Sequence, residues 1–365
     1  MTKPLNVPER ILMGPGPSNV PHSVLAAMAQ PTLGHLDPVF LEIMNEISAM
    51  LRTIFVTKNA LTMPMSGTGS AGMETCLVNL LEPGDRAIIG VHGVFGARMV
   101  EMARRCGAEV ITVEAEWGKA LDPNEFRKHG EAKLIAVVHA ETSTGVLQDL
   151  APFRAIADEL GALFVVDAVA SLGGVPLDVD GLGIDAVYSG SQKCLSGPPG
   201  VAPVSFSQRA LDAMAARKTP VRSWYLDVSL IAQYWGGDRV YHHTAPINTL
   251  YGLHEACRLV CVEGLDARIA RHRAMSDRLR TGLLELGLNI AGDESTRLHP
   301  VTLVLLAEGI DDLKIRRALL NEYGLEIGGG LGAFKGKAWR IGLMGASATP
   351  KHVDVCLAAL RRMLP

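Results

Sequence analysis

The sequence predicts an α/β fold, a mostly parallel sheet with helices on both faces, followed by a smaller α+β domain. Three observations carry this. Short, wholly apolar runs at 87–89, 110–113, 134–138, 163–166 and 186–188 are separated by helical patterns, and uninterrupted apolar strands are buried on both faces, as in parallel sheets. Strands alternating with helices imply repeated right-handed crossovers. From about residue 264 the texture changes to long charged helices at 265–286 and 310–323 around one apolar run at 301–306. The expected organisation is an arm at 1–19, a large domain at 20–263 and a small domain at 264–365.

A chain of 365 residues is long enough for that division. Hydrophobic residues make up 48%, charged residues 20%, and the formal net charge is -3. That balance gives no electrostatic reason for a nucleic-acid or anionic-membrane partner. Cysteines at 76, 106, 194, 257, 261 and 356 have no compact spacing, and neither a signal peptide nor a long apolar span is evident; a reducing cytoplasm is the expected setting. His254, Cys257 and Cys261 can share a helical face, but buried free thiols are the plainer reading and no metal is expected.

In chain order, the first segment of interest is Gly14-Pro15-Gly16-Pro17-Ser18, bare extended backbone that either approaches a ligand or forms an ordinary loop. Asp37-Pro38 reads as an N-cap and first helical residue of a helix running to about Phe55. Residues 65–72, MSGTGSAG, feed a helix at 70–81, where amides at a helix N-terminus can cradle a phosphate. Gly67, Gly69 and Gly72 also fit a dinucleotide fingerprint. Pro64 makes the preceding residues 60–65 a poor central strand, however, and that fingerprint needs a strand leading into the turn. A helix is expected at 95–106, opened by Phe95, whose ring either stacks on a flat ligand or packs in the core. His139-Ala-Glu-Thr-Ser-Thr-Gly145 follows a strand and belongs at the same edge of the sheet.

Residues 163–193, LFVVDAVASLGGVPLDVDGLGIDAVYSGSQK, hold two strands whose polar ends carry Asp167 and, five residues past Tyr188, Lys193. In open α/β sheets the ligand lies beyond the carboxyl ends of the strands. A lysine and a carboxylate facing one cavity there suit pyridoxal 5'-phosphate: the amine can condense with its aldehyde, and the carboxylate can keep its pyridine nitrogen protonated. Taken singly, Asp167 reads equally well as a cap and Lys193 as a solvated loop charge. Tyr241-His242-His243-Thr244 lies in a loop before a helix at 248–262, with two hydroxyls able to donate to a phosphate or to rest at the surface. Residues 328–332, GGGLG, read as a flexible loop, residues 339–341 as a strand, and Thr349-Pro350 as the start of a closing helix. Arg340 sits among apolar residues and needs a carboxylate, either from an internal salt bridge or from a substrate.

With these residues in place, the chain resembles the class V, fold-type I pyridoxal-phosphate aminotransferases, in particular their alanine-glyoxylate and serine-pyruvate branch. GPGPSNVP, SGTGSAGME, HAETSTGVLQ, VVDAVASLGG, YSGSQKCLSGPPG, YHHT and RIGLMG occur in the order expected of that branch, from residue 14 to 345. The resemblance implies Lys193 as the Schiff-base lysine, Asp167 as the partner of the pyridine nitrogen, and Thr68, Gly69 and Ser70 as the phosphate turn, with Gln192 beside it. It implies that Tyr241 and Thr244 reach the phosphate of a neighbouring subunit, so that a homodimer is the active unit. Thr142 is placed near the ring hydroxyl, Phe95 against the ring, Arg340 on the substrate carboxylate, and the backbone at Gly16 along the substrate side. Phe95 stands where close relatives often carry tryptophan, and Ser70 where some carry histidine.

The expected reaction is a ping-pong transamination from a small amino acid, alanine or serine, to glyoxylate or pyruvate, with Lys193 as covalent anchor and general base. Three rivals remain at this stage. A cysteine desulfurase would want a histidine where Gln192 stands and a mobile cysteine. A nicotinamide oxidoreductase would rest on the glycine turn alone, and a cofactor-free binding module would leave Lys193 and Asp167 without a role.

Overall fold

The computed structural model describes residues 2–364. A seven-stranded sheet runs in the order Leu61–Ser66, Val201–Phe206, Ala186–Tyr188, Leu163–Asp167, Leu134–Val138, Arg86–Val91, Glu109–Glu114. The five strands from Ala186–Tyr188 to Glu109–Glu114 are mutually parallel, and Val201–Phe206 is antiparallel to both its neighbours. Successive residues point to opposite faces of a strand, and each face has its own core. Ile88, Ile135, Val137, Phe164 and Val166 pack toward the Pro38–Phe55 and Ile247–Glu263 helices. Ala87, Ile89, Ala136, Val138 and Val165 pack toward the Gly69–Leu80 and Val94–Arg105 helices. Asp37 caps the Pro38–Phe55 helix by accepting from the Val39 amide at 2.8 Å, as its sequence predicts.

Three expectations change. Residues 61–66 form a strand despite Pro64, because that strand is the sheet's edge. The Gly67 amide donates to the Gly200 carbonyl, which makes Ser66–Val201 and then Pro64–Pro203 non-hydrogen-bonded pairs. The Pro64 nitrogen thus faces the open edge, where no ladder bond is lost. Residues 328–332 are only partly a loop: Gly328–Gly329 pairs with Ala338–Gly342. The arm is also no free lead-in, since Ile11–Leu12 pairs in parallel with Leu325–Glu326 and Met13 is buried with Leu279, Trp339 and Leu360. The strand Val201–Phe206 and the helices His22–Met28, Gln208–Ala215 and Val228–Trp235 were not anticipated.

A second sheet, ordered Asn289–Ile290, Val301–Leu305, Ala338–Gly342, Gly328–Gly329, lies among the Leu265–Glu285, Asp312–Tyr323 and Pro350–Met363 helices. It carries Arg340 on an inner strand opposite Leu303 and Gly328.

Candidate active site

The parallel register sets Val138, Asp167 and Tyr188 side by side at the carboxyl edge of the sheet. Asp167 is 2% exposed. One carboxyl oxygen accepts from the Val169 amide at 2.8 Å and the other from the Tyr188 hydroxyl at 2.9 Å. Burial pushes its pKa up to about 6 against those two bonds. Such a carboxyl needs a cation, and a protonated ring nitrogen is a fitting one.

Lys193 follows Ala186–Tyr188 on a loop, with Nζ donating to the Pro15 carbonyl. Burial brings its pKa down to about 8, so the neutral amine that a nucleophile requires is far more accessible near neutral pH than in a free lysine. Gly16 passes so close that a Cβ there would overlap the lysine, and its φ of +105° suits glycine. Ser18 pins this segment to the lysine loop: its amide donates to the Gln192 carbonyl at 2.9 Å and its hydroxyl to the Lys193 carbonyl at 2.8 Å.

The small-residue turn ends at Thr68, the N-cap of the Gly69–Leu80 helix, whose hydroxyl makes no capping bond. Among the described residues the Gly69 and Ser70 amides have no acceptor, leaving the positive end of the helix dipole open. A Cβ at Gly72 would stand 3.1 Å from those of Tyr188 and Ala202, so small residues let this helix lie close on the sheet beside Asp167. Gln192 contributes a buried Oε1 without a partner among the described residues.

Phe95 is half-buried at the start of the Val94–Arg105 helix, with the Arg98 guanidinium carbon 5.0 Å from its ring centre. Arg98 also donates to the Ser70 hydroxyl at 3.2 Å. Thr142 is buried directly after Glu141. Arg340 is 9% exposed, and its Nε donates to the Gly329 carbonyl at 2.8 Å. No Asp or Glu of the described residues forms a salt bridge with it, so the internal salt bridge is not formed. Burial lowers its pKa, while the charge of Glu141 opposes the fall. Tyr241 and Thr244 are both exposed, with their hydroxyls 3.3 Å from each other, on a loop whose His243 Nε2 lies 2.8 Å from the Ser66 hydroxyl. His254 Nε2 lies 2.6 Å from Glu46 Oε2.

Sequence reasoning did not single out Tyr188, Glu141, Ser18 or His272. Tyr188 becomes visible only through strand register, and Glu141 lay unassigned inside a flagged motif. The buried His272 donates from Nδ1 to the Arg268 carbonyl at 2.8 Å and accepts the Gly345 amide on Nε2 at 2.8 Å. Arg268 in turn donates to the Cys194 carbonyl at 2.6 Å and pairs with Glu263, which also holds Arg271. The imidazole is therefore neutral, and burial takes its pKa down to about 3. Between that value and the ordinary 6.5 the unfolded chain binds more protons, so stability falls as pH drops through this window. A His272→Asn variant should lose roughly 1–2 kcal/mol less than the parent between pH 6.5 and 5 in urea unfolding. Parallel curves for the two proteins would remove His272 from this role.

The chain matches the family description Aminotransferase class-V over residues 11–339. The chain belongs to the class-V aminotransferases. A crystal structure of alanine–glyoxylate aminotransferase from Nostoc sp. superposes with a TM-score of 0.99 at 46% identity, covering 100% of this chain and 98% of that one. Alanine–glyoxylate aminotransferase of Drosophila melanogaster is 43% identical over 100% of this chain and 94% of its own length. The (S)-ureidoglycine–glyoxylate transaminase of Bacillus subtilis strain 168 is 40% identical over 99% and 92%. The enzyme is an aminotransferase of the fold-type I architecture and depends on pyridoxal phosphate. Its residues fit that group: an open helix terminus and an orphaned Gln192 oxygen for a phosphate, a buried carboxyl at Asp167 for a ring nitrogen, and a lysine of lowered pKa for an aldehyde.

Proposed function

We propose that this aminotransferase moves the amino group of a small amino acid, alanine or serine, to glyoxylate or pyruvate. The observation that carries this reading is Arg340, a buried guanidinium with one bond to a main-chain carbonyl and no carboxylate partner among the described residues. Its remaining donors form a fork that suits one substrate carboxylate. Glyoxylate is named for both the Drosophila and the Bacillus relatives.

When bound, pyridoxal phosphate supplies the electron sink that makes an α-proton labile. In this reading Thr68, Gly69, Ser70 and Gln192 hold the phosphate, Phe95 faces the ring, Thr142 lies by the ring hydroxyl and Asp167 keeps the ring nitrogen charged. Tyr188 orients Asp167 through its 2.9 Å bond. Lys193 Nζ, directed by the Pro15 carbonyl, accepts the α-proton of the substrate and returns it, while Arg340 and the backbone at Gly16 align the carboxylate. Tyr241 and Thr244 would serve a second subunit: they are exposed, with Trp224, Tyr225 and Val240 exposed in the same region of chain, a surface suited to a homodimer. Six free cysteines accord with a reducing cytoplasm, and among the described residues no helix is long and apolar enough to cross a membrane. Cys194, next to the lysine, donates from Sγ to the Ala170 carbonyl at 3.4 Å and is pushed up to about 12 by burial. A fixed, protonated thiol does not serve as a desulfurase nucleophile.

A half-reaction panel tests the substrate class by following loss of the visible cofactor band. Alanine, serine and glycine should bleach it quickly; aspartate and an aromatic amino acid should do so slowly. Rapid bleaching by the last two alone would overturn the small-substrate reading. (S)-ureidoglycine, the donor named for the Bacillus relative, belongs in the same panel.

A further inference from the structure

Glu141 is wholly buried at the carboxyl edge of the sheet and pairs with no cation among the described residues. Leaving a carboxylate in that state is costly unless its oxygens are fully bonded. Here they are. Oε1 accepts from the Ser143 amide at 3.0 Å and the Ser143 hydroxyl at 2.6 Å; Oε2 accepts from the Phe95 amide at 3.0 Å and the Gly96 amide at 3.4 Å. Three of the four partners are main-chain amides, which can only donate and so favour the carboxylate, against burial, which raises the pKa of the group. The positive end of the Val94–Arg105 helix favours that charge. The space for it is made by Gly93, where a Cβ would overlap both the carboxyl and the Ser143 hydroxyl. Ser143 closes the arrangement by accepting the Val94 amide at 2.9 Å.

The bonds tie together two segments assigned to the cofactor above. One is the helix start that presents Phe95, and the other is the turn that presents Thr142. The charge acts at longer range as well, opposing the loss of charge on Arg340 and adding to the rise at Asp167. The one carboxylate thus bears on the aromatic plate through a bond and on the ring-nitrogen partner and the substrate arginine through its charge.

We propose that Glu141 is a positioning residue for the cofactor: its carboxylate fixes Phe95 and Thr142 relative to each other and so sets the orientation of the bound ring. The inference rests on the cofactor assignments above. Glu141→Gln is nearly isosteric and puts an amide N–H₂ against two N–H or O–H donors. In an equilibrium titration of apoprotein with pyridoxal phosphate, Glu141→Gln should bind at least about tenfold more weakly. The circular dichroism of its bound cofactor should change shape, and the Phe95 and Gly96 amides should exchange faster. Ser143→Ala, which removes one donor and one acceptor from the same network, should weaken binding about threefold in the same direction. If Glu141→Gln does not fold, Ser143→Ala decides. Parental affinity and dichroism in the folded variant would overturn the proposal. Weaker binding with parental dichroism and amide exchange would also overturn it, because the ring and the helix start would then be held as in the parent. If the parent apoprotein itself takes up no pyridoxal phosphate, the cofactor assignment fails instead, independently of Glu141.

Discussion

Lys193→Ala will not turn over. Removal of Nζ takes away the amine proposed above to anchor the cofactor and to move the α-proton, and the loss in kcat should be at least about 10³-fold. No neighbour can stand in. Arg340 and Arg98 are the other cations whose charge reaches Lys193, and a guanidinium does not release its proton in this range. Cys194 is held protonated by burial and bonded to Ala170. The variant should still take up pyridoxal phosphate, because the helix terminus at Thr68 to Ser70 and the Asp167 carboxyl are untouched. Its bound cofactor should leave on denaturation even after borohydride treatment. Turnover at the parental rate would refute the assignment of Lys193.

Arg340→Gln should raise KM for amino acid and keto acid alike by about 30- to 1000-fold, the range expected when one partner of a buried charge pair is truncated. The free protein should not suffer in parallel. Arg340 has no carboxylate partner among the described residues, and burial disfavours its charge, so replacement by a neutral side chain should leave thermal stability unchanged or slightly raised. This opposition separates a substrate-binding role from a structural one. A variant that loses stability yet keeps its KM would return Arg340 to the framework of the small sheet.

The sequence made the core of the site legible and left its settings hidden. Asp167 stood out because it ends an apolar run and Lys193 because it follows one within five residues, and the small-residue turn at Thr68 to Ser70 announced itself by composition. Strand Leu61–Ser66 was misjudged because Pro64 rules out only a central position, and which strand lies at an edge is a property of topology. Val201–Phe206 was missed for a related reason: Pro203 sits within it, and its antiparallel course breaks the alternation on which the reading relied. The arm's place against Leu325–Glu326 spans more than three hundred residues of chain, and no local pattern encodes such a pairing. Long-range partners also explain why Tyr188, His272 and Ser18 went unnoticed. Arg340 was legible as a cation needing a carboxylate, but only the folded surroundings exclude an internal partner. Glu141 lies between these cases, inside a recognisable motif yet with its four donors supplied by two separate segments.

The central claim is that this lysine, and no other, is the covalent seat of pyridoxal phosphate in the resting enzyme. Reduction of the parent protein with borohydride, digestion and mass mapping of the peptides tests it most directly. The expected result is a single modified peptide bearing the cofactor mass on Lys193. A label on any other lysine, or none on a protein that remains active, would contradict it.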